Sequence, residues 1–396
     1  MTGNVAGPKP SLRAQAIAPF HVMEILARAR ELERQGRSII HMEIGEPDFE
    51  TPEPVLAAAR RALGERSMHY TPALGLPELR QAIAAHYRLR YGVAIDWRRI
   101  IVTSGSSGAL LLALGVLVDP GARVLLADPG YPANRHFVRV LNGEPVGIAV
   151  DASSHYQLSP GTIAAHWDAN TVATLIASPS NPTGTLISHE ALQAIHREVA
   201  ARGGTLLVDE IYHGLTYGTE PRTALEIAED IFVINSFSKY FGMTGWRIGW
   251  LVAPPGMVDA IERMAQNVYL AVSTPAQYAA LAAFGPDNLA ILEQRRSVLR
   301  ERRDYLVEAL RRLDFDVPVV PEGAFYVYAN CARLTGDSFD LGKRLLEEAG
   351  VAVTPGVDFG SHRAREHVRF AYTTRVERLR EAVVRMERFL AARRFG

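Results

Sequence analysis

Hydrophobic residues change their spacing along the chain in a way that separates strands from helices. From about residue 100, short apolar runs alternate with segments whose apolar positions recur at helical spacing. The runs predict strands at 99–103, 123–127, 145–150, 171–177, 204–208, 231–235 and 247–253, with helices at 106–118, 132–141, 160–167 and 188–202. This alternation predicts βαβ units, and therefore an α/β domain whose mostly parallel seven-stranded sheet is flanked by helices.

The pattern changes near Gly285. Residues 287–313 predict one long amphipathic helix with leucines along one stripe. The segments after it alternate between strand and helix patterns, at 325–329, about 338–349, 367–372 and about 376–393. We therefore expect a smaller α+β domain after the large one.

The first 45 residues stand apart from both patterns. Residues 1–15 are polar and contain Gly and Pro, which is typical of a loose arm. Residues 22–36 have apolar positions at helical spacing and end at a glycine. We predict three parts: an N-terminal arm and helix (1–45) that pack with the small domain, a large domain (46–285) and a small C-terminal domain (286–396).

Composition excludes several classes of protein. In 396 residues, 43 Lys and Arg balance 43 Asp and Glu, whereas a nucleic-acid binder normally shows a basic excess. No apolar run reaches about 18 residues, so we expect no membrane span, and the first residues lack the apolar core of a signal peptide. One cysteine, Cys331, leaves no internal disulfide and no Cys-based zinc site. We expect a cytoplasmic protein without a bound metal.

Lysine is scarce, which draws attention to the few that are present. Of the 43 basic residues only three are lysines: Lys9, Lys239 and Lys343. Lys239 follows the strand 231–235, at the carboxyl edge where open α/β sheets bind ligands. The next eight residues are rich in Gly and aromatic residues and contain no acid. Such a lysine has a lowered pKa and can form a Schiff base with a carbonyl, although a surface loop lysine is the alternative.

Two further side chains follow the strand 204–208. Asp209 ends this strand and is expected in the same crevice as Lys239, where its carboxylate can face a cationic ring nitrogen. A helix N-cap is the alternative for this aspartate. Tyr212, three residues on, can donate a hydrogen bond to a ring oxygen, and the alternative is a packing tyrosine.

Two loops at strand ends have the composition of ligand-binding turns. Ser104-Gly105-Ser106-Ser107-Gly108 precedes a helix, and small residues there expose backbone N–H groups to a phosphate. The loop matches neither the dinucleotide-binding nor the Walker pattern. In the turn 178–184, Asn181 is placed to bond a ligand and forms a candidate cis bond with the following proline. A purely structural turn is the alternative for both loops.

Two arginines stand in apolar surroundings, Arg247 and Arg369. We expect both in strands, where a buried guanidinium is costly unless an anion pairs with it. A phosphate and a carboxylate are the obvious partners, and solvation on the surface is the alternative. The triplet Asp358-Phe359-Gly360 matches a kinase motif without the other kinase motifs, and we interpret it as a chance match.

Taken together, these segments resemble pyridoxal-phosphate-dependent aminotransferases of fold type I, in the class I/II group that contains aspartate aminotransferase. The resemblance runs from about Ile39 to Ala391. It depends on segments that match in order and spacing: IGEPDF (44–49), YTPALGLPELRQAIA (70–84), TSGSSGAL (103–110), DPGYP (128–132), SPSNPTG (178–184), VDEIY (208–212), SFSKYFGMTGWRIG (236–249), GAFYVY (323–328) and VRFAYT (368–373).

The resemblance implies a role for each cofactor-binding residue. Lys239 corresponds to the lysine that forms the Schiff base with pyridoxal 5'-phosphate, and Asp209 to the acid that keeps the ring nitrogen protonated. Tyr212 and Asn181 correspond to partners of the ring hydroxyl oxygen, and Tyr131 to the aromatic residue stacked on the ring. The implied phosphate contacts are Ser106, Ser107, Ser236 and Arg247.

The resemblance also implies substrates and a partner. Arg369 corresponds to the arginine that binds the substrate α-carboxylate, and Gly45 to backbone that lies over the substrate. Tyr70 corresponds to a tyrosine that reaches the neighbouring subunit's phosphate, which implies a homodimer with shared sites. The implied reaction moves an amino group from an L-amino acid to a 2-oxo acid by a ping-pong mechanism.

Three questions stay open at this point. A β-lyase or synthase on the same scaffold shares the carbanion chemistry and is the alternative reaction. A second alternative is a cofactor-binding domain of a transcription regulator. Such a protein would need about 60 further residues for DNA binding, whereas only about 40 precede the IGEPDF segment here, which argues against this alternative. With 40 arginines in the chain, the sequence singles out none as the partner of a distal substrate acid, and the apolar segment 17–22 leads us to expect tolerance of apolar or aromatic side chains.

Overall fold

A seven-stranded sheet forms the centre of the protein in a computed structural model, which describes residues 9–394. The strands in chain order are β1 (Ile40–His41), β2 (Ile100–Thr103), β3 (Arg123–Asp128), β4 (Glu144–Ala149), β5 (Thr171–Ala177), β6 (Thr205–Asp209), β7 (Phe232–Ser236), β8 (Gly249–Val252), β9 (Tyr326–Asn330), β10 (Val351–Ala352), β11 (Thr354–Pro355) and β12 (His367–Ala371).

The order of strands across the large sheet is β2-β8-β7-β6-β5-β3-β4. Strand β8 runs antiparallel to both of its neighbours, β2 and β7, and the five strands from β7 to β4 pair with one another in parallel. All seven strands predicted from the sequence are present, and β2 and β7 are buried along their whole length, as expected for strands covered on both faces. The predicted α/β class is confirmed.

Helices cover both faces of this sheet and surround the smaller one. They are α1 (Leu12–Gln15), α2 (His21–Arg34), α3 (Glu53–Glu65), α4 (Pro77–Tyr91), α5 (Gly105–Gly115), α6 (Pro132–Val140), α7 (Pro160–His166), α8 (His189–Ala201), α9 (Val258–Val268), α10 (Thr274–Leu281), α11 (Pro286–Arg312), α12 (Ser338–Arg344) and α13 (Val376–Arg394). None of the helices in the described range has the length and apolar character needed to cross a membrane.

The C-terminal part contains an antiparallel sheet of order β11-β12-β9. Strand β1 pairs in parallel with β10, so residues near the N-terminus join this part of the molecule. Residues 1–8 of the predicted arm lie outside the described residues. Residues 12–15 form a short helix rather than a loose segment, because the Ser11 side chain accepts the Ala14 N–H at 3.2 Å. The predicted boundaries 1–45, 46–285 and 286–396 stay a prediction.

The loops that follow β2, β5, β6 and β7 meet at one edge of the sheet, because these strands run in the same direction. Helix α5 starts at this edge directly against β8. A methyl group added at Gly249 would lie 2.8 Å from the Asn235 carbonyl oxygen and 3.0 Å from the Ser106 amide nitrogen. The missing side chain at 249 therefore allows the start of α5 to approach the sheet.

We expect Gly249→Ala to lower the free energy of unfolding by about 1–3 kcal/mol, because the added methyl group has no space between two backbone segments. The shift in the midpoint of urea denaturation measures this loss. Gly256→Ala is the matched control, since no atom lies within 4 Å of the added methyl group there. A Gly256→Ala loss as large as that of Gly249→Ala would contradict the steric explanation.

Candidate active site

A cavity of about 380 Å³ opens at the carboxyl edge of the large sheet. Its walls come from loops of the sheet, from the start of α2 and from strands β9 and β12. The structure brings ten of the twelve predicted site residues to these walls: Gly45, Ser106, Ser107, Tyr131, Asn181, Asp209, Tyr212, Lys239, Arg247 and Arg369.

Lys239 is half-buried and presents its amine to the cavity. Its Nζ donates to the Gly45 carbonyl oxygen at 2.8 Å and lies 5.6 Å from the centre of the Phe325 ring. Burial lowers the pKa of Lys239 to about 8; the charge of Glu46 opposes this shift, and that of Arg369 adds to it. About a tenth of the amine is therefore uncharged at pH 7, against about 0.03% for an ordinary lysine, and attack on a carbonyl requires this uncharged form.

Asp209 places a carboxylate at the end of β6. No helix begins here: its Oδ1 accepts the Ile211 N–H at 3.1 Å within a turn, which excludes the helix N-cap. Burial raises the pKa of Asp209 to about 7, while the Ile211 hydrogen bond and the charge of Lys239 oppose the shift. Since no residue in the described range forms an ion pair with it, this carboxylate suits a cationic ligand group such as a protonated ring nitrogen.

Three tyrosines line the cavity near these two groups, of which two are buried and Tyr131 is half-buried. The hydroxyls of Tyr212 and Tyr326 share a hydrogen bond at 3.0 Å, and Tyr131 stands at the start of α6. Burial raises the pKa of all three, so each keeps its proton and can donate. Sequence reasoning missed Tyr326, because its segment has the pattern of an ordinary core strand.

The start of α5 and Arg247 together form a cradle for an anion. No side chain caps this helix, so the N–H groups of its first turn, which includes Ser106 and Ser107, remain available. A methyl group added at Gly105 would lie 2.7 Å from Nη2 of Arg247, so the guanidinium lies beside the helix start. Helix amides and a guanidinium suit a phosphate group.

Arg247 differs from its prediction in one respect. The predicted strand 247–253 begins only at Gly249, and Arg247 is exposed, with a left-handed φ of 51°. Its Nη1 donates to the Thr244 carbonyl oxygen at 3.0 Å. The prediction of a buried guanidinium in a strand was wrong here, because the turn before β8 carries the side chain out to the rim.

Ser236 is a predicted phosphate contact that does not line the cavity. It is buried in β7, and its hydroxyl donates to the Ile248 carbonyl oxygen at 3.1 Å and lies 2.9 Å from the hydroxyl of Ser238. Ser238 lines the cavity instead and was missed. Its position directly before Lys239 was the available signal, since the turn after β7 aims this segment at the site.

Arg369 places a guanidinium in the cavity wall, only 3% exposed, as predicted for a strand arginine. Its Nη1 donates to Asn181 Oδ1 at 3.0 Å, and its Nη2 donates to the Glu43 carbonyl oxygen and, at 3.2 Å, to Thr354 Oγ1. No carboxylate in the described range pairs with it, and its Nε has no partner. A buried guanidinium with this environment suits the carboxylate of a ligand.

Two predictions concern Asn181 and Tyr70. The Asn181-Pro182 bond is cis, as the sequence suggested, and the Asn181 side chain is buried against Arg369. Tyr70 is 82% exposed and does not reach the cavity of its own chain. Its role towards a neighbouring subunit stays a prediction.

Part of the cavity wall is apolar. Phe20, Val22 and Met23 from the start of α2 line it, together with Ile44 and Ile211. Among the described residues that line the cavity, the cations are Lys239, Arg247 and Arg369.

Comparison with known proteins gives consistent matches along the chain. The family model for class I and II aminotransferases matches residues 37–386. The chain is 38% identical over 392 residues to a valine–pyruvate aminotransferase of Mycobacterium tuberculosis, which covers 98% of this chain and 99% of that protein. It is 36% identical to an aspartate/prephenate aminotransferase of Thermus thermophilus over 96% of this chain and 98% of that protein. The crystal structure of an aminotransferase from M. tuberculosis matches with a TM-score of 0.94 at 36% identity, covering 98% of this chain and 100% of that one.

We expect acetic anhydride to label the amine of Lys239 in the cofactor-free protein at a rate that rises about tenfold per pH unit and levels off above pH 8, because only the neutral amine reacts. Mass spectrometry of the peptide that contains Lys239 measures this rate. In Glu46→Gln the inflection should move to lower pH, because the charge of Glu46 raises the pKa of this amine. A labelling rate that still rises above pH 9 would contradict the lowered pKa.

Proposed function

The chain belongs to the class I and II aminotransferase family, and from that premise we propose that Lys239, Asp209 and Arg369 carry the transfer of an amino group from an L-amino acid to a 2-oxo acid. The observation that supports these roles is the presence of an amine, a buried carboxylate and a buried guanidinium in one cavity, none of them in an ion pair within the described chain. Transfer is favoured over the β-lyase or synthase alternative, because the similar proteins are named as aminotransferases.

The cofactor of this family is pyridoxal 5'-phosphate, and the residues of the cavity fit it. Ser106, Ser107 and Arg247 would hold its phosphate at the start of α5. Tyr131 would face its ring. Tyr212 and Asn181 would donate to its hydroxyl oxygen, since burial keeps the tyrosine protonated.

Each charged residue then has a distinct task. When bound, pyridoxal phosphate supplies an aldehyde carbon that carries the amino group and a ring that takes up the electrons released at the substrate Cα. Asp209 would hold the positive charge on the ring nitrogen. Lys239 would hold the aldehyde carbon between turnovers and, once free, move the proton at Cα, for which its lowered pKa is suited. Arg369 would bind the α-carboxylate and so orient Cα towards the amine.

We propose amino acids with apolar or aromatic side chains as donors. With Lys239, Arg247 and Arg369 assigned, the described cavity wall offers no cation for a second substrate carboxylate. Phe20, Val22 and other apolar residues line the cavity and would contact the substrate side chain. The similarity to a valine–pyruvate aminotransferase is consistent with this substrate class.

A homodimer and a cytoplasmic location complete the proposal. Tyr70 is 82% exposed, and the apolar residues Leu63, Val268 and Leu270 are exposed as well. A partner subunit that covered such residues would remove apolar surface from water and would bring Tyr70 to the partner's phosphate cradle. The single cysteine, Cys331, is buried, which suits a reducing compartment.

We expect the wild-type protein to transfer amino groups from valine, leucine, methionine and phenylalanine to 2-oxoglutarate or pyruvate, with aspartate at least about tenfold poorer in kcat/KM, because the described cavity wall provides no partner for a second carboxylate. Chromatography of the amino acid products measures the transfer. Lys239→Ala serves as the blank. Activity confined to aspartate would overturn the substrate class, and release of ammonia without a 2-oxo acid would favour the lyase.

Asp209→Asn should lower kcat by about 100-fold or more, because a neutral amide keeps the Ile211 hydrogen bond but cannot hold a cationic ring nitrogen. Single-turnover kinetics on protein of known cofactor content separate this loss from loss of the cofactor. Glu210→Gln is the matched control, since Glu210 is equally buried but bonds Thr223 and the Ala224 N–H outside the cavity. Near-wild-type turnover in Asp209→Asn would remove the ring-charge role.

A further inference from the structure

The start of helix α2 forms the apolar wall of the cavity. Phe20, Val22 and Met23 line the cavity, and we call residues 20–23 the lid. The lid lies at the N-terminus of a 14-residue helix, whose first N–H groups have no partners within the helix. The residue at the N-cap position, Phe20, provides no side-chain hydrogen bond. The lid therefore depends on another part of the chain for its position.

Asp358 provides the missing partner from a distant part of the sequence. Its Oδ1 accepts the His21 N–H at 3.0 Å, and its Oδ2 accepts the Val22 N–H at 2.8 Å. The aspartate is only 3% exposed. A carboxylate at a helix N-terminus is favoured by the charged hydrogen bonds and by the helix dipole.

The residues that follow Asp358 also contact Arg369, which we assign to the substrate carboxylate. The guanidinium of Arg369 lies 4.8 Å from the centre of the Phe359 ring. A methyl group added at Gly360 would lie 1.7 Å from Oδ1 of Asp128, at the end of β3, so the segment is packed tightly against the sheet edge. The triplet 358–360 therefore links the lid, the guanidinium and the large sheet, which gives the kinase-like motif a local role.

We propose that Asp358 is a positioning residue for substrate selection: its carboxylate fixes the lid at a set distance from Arg369, so that the lid contacts the apolar side chain of the bound amino acid. The inference depends on the proposed apolar substrate class. A long side chain reaches the lid, whereas the methyl group of alanine is too short to benefit from it. Loss of the carboxylate should therefore weaken binding of long donors selectively.

The first test compares donors of different length in Asp358→Ala holoenzyme. KM for leucine and phenylalanine should rise about tenfold or more, KM for alanine should stay within about twofold, and kcat should change by less than about threefold. Asp358→Asn should fall between wild type and Asp358→Ala, because its amide oxygen still accepts one N–H. The control is Asp151→Ala, which removes a carboxylate that accepts the Ser153 N–H at 2.9 Å in an exposed loop.

The second test follows the lid directly by hydrogen–deuterium exchange of the same holoenzymes. Peptides that cover residues 18–26 should exchange faster in Asp358→Ala and at the wild-type rate in Asp151→Ala. Unchanged exchange in Asp358→Ala, or an equal rise in KM for alanine and leucine, would overturn the role of Asp358 and leave the proposed substrate class in place. A wild-type enzyme that uses no apolar donor would overturn the proposed substrate class and the selection role together.

Discussion

The site depends on one constraint: the amine of Lys239 and the carboxylate of Asp209 are both removed from water in one cavity without forming an ion pair. Because β6 and β7 run in parallel, Asp209 and the loop that carries Lys239 lie at the same edge of the sheet. The amine nevertheless donates to the Gly45 carbonyl oxygen rather than to the acid. Burial moves the two pKa values towards each other, to about 7 for the acid and about 8 for the amine. In the proposed roles, a ligand with a cationic ring nitrogen and an aldehyde would pair with both groups and so relieve the cost of burying them.

The half of the site that contains Asp209 and Lys239 could be predicted from the sequence, because the direction of the strands places both residues at the same edge of the sheet. A strand buried on both faces has a continuous apolar run, and the polar residue that ends the run lies at the carboxyl edge. Asp209 and Lys239 were predicted in this way. Helices α3, α4, α9 and α10 were not predicted, and in two of them, α4 and α10, a buried polar side chain interrupts the apolar pattern. In α4, buried Arg80 donates to the Ile100 carbonyl oxygen, and in α10, buried Gln277 accepts the Leu76 N–H.

The other half of the site depends on contacts between segments that are far apart in sequence. Asp358 and the lid are separated by more than 330 residues, and no local pattern indicates that they meet. Tyr326 has the spacing of a core strand residue, and only the pairing of β9 with β12 places its ring over Arg369, at 4.2 Å. The exposed position of Arg247 likewise depends on a turn whose left-handed φ the sequence does not indicate. Local patterns thus located the charges, and tertiary contacts determined what surrounds them.

The two halves can therefore change independently. The carboxylate of Asp209 and the start of α5 are held by the large sheet, whose register is determined by buried strands and tolerates little variation. The lid and Asp358 come from distant parts of the chain, and the segment of Asp358 meets the large sheet at its edge, where Gly360 packs against Asp128. In the proposed roles, a substitution in the lid would alter the volume offered to a substrate side chain, while Asp209 and the start of α5 keep their places in the large sheet. A family built in this way can diversify its substrates while it keeps one chemistry, because the atoms that select and the atoms that react belong to different structural layers.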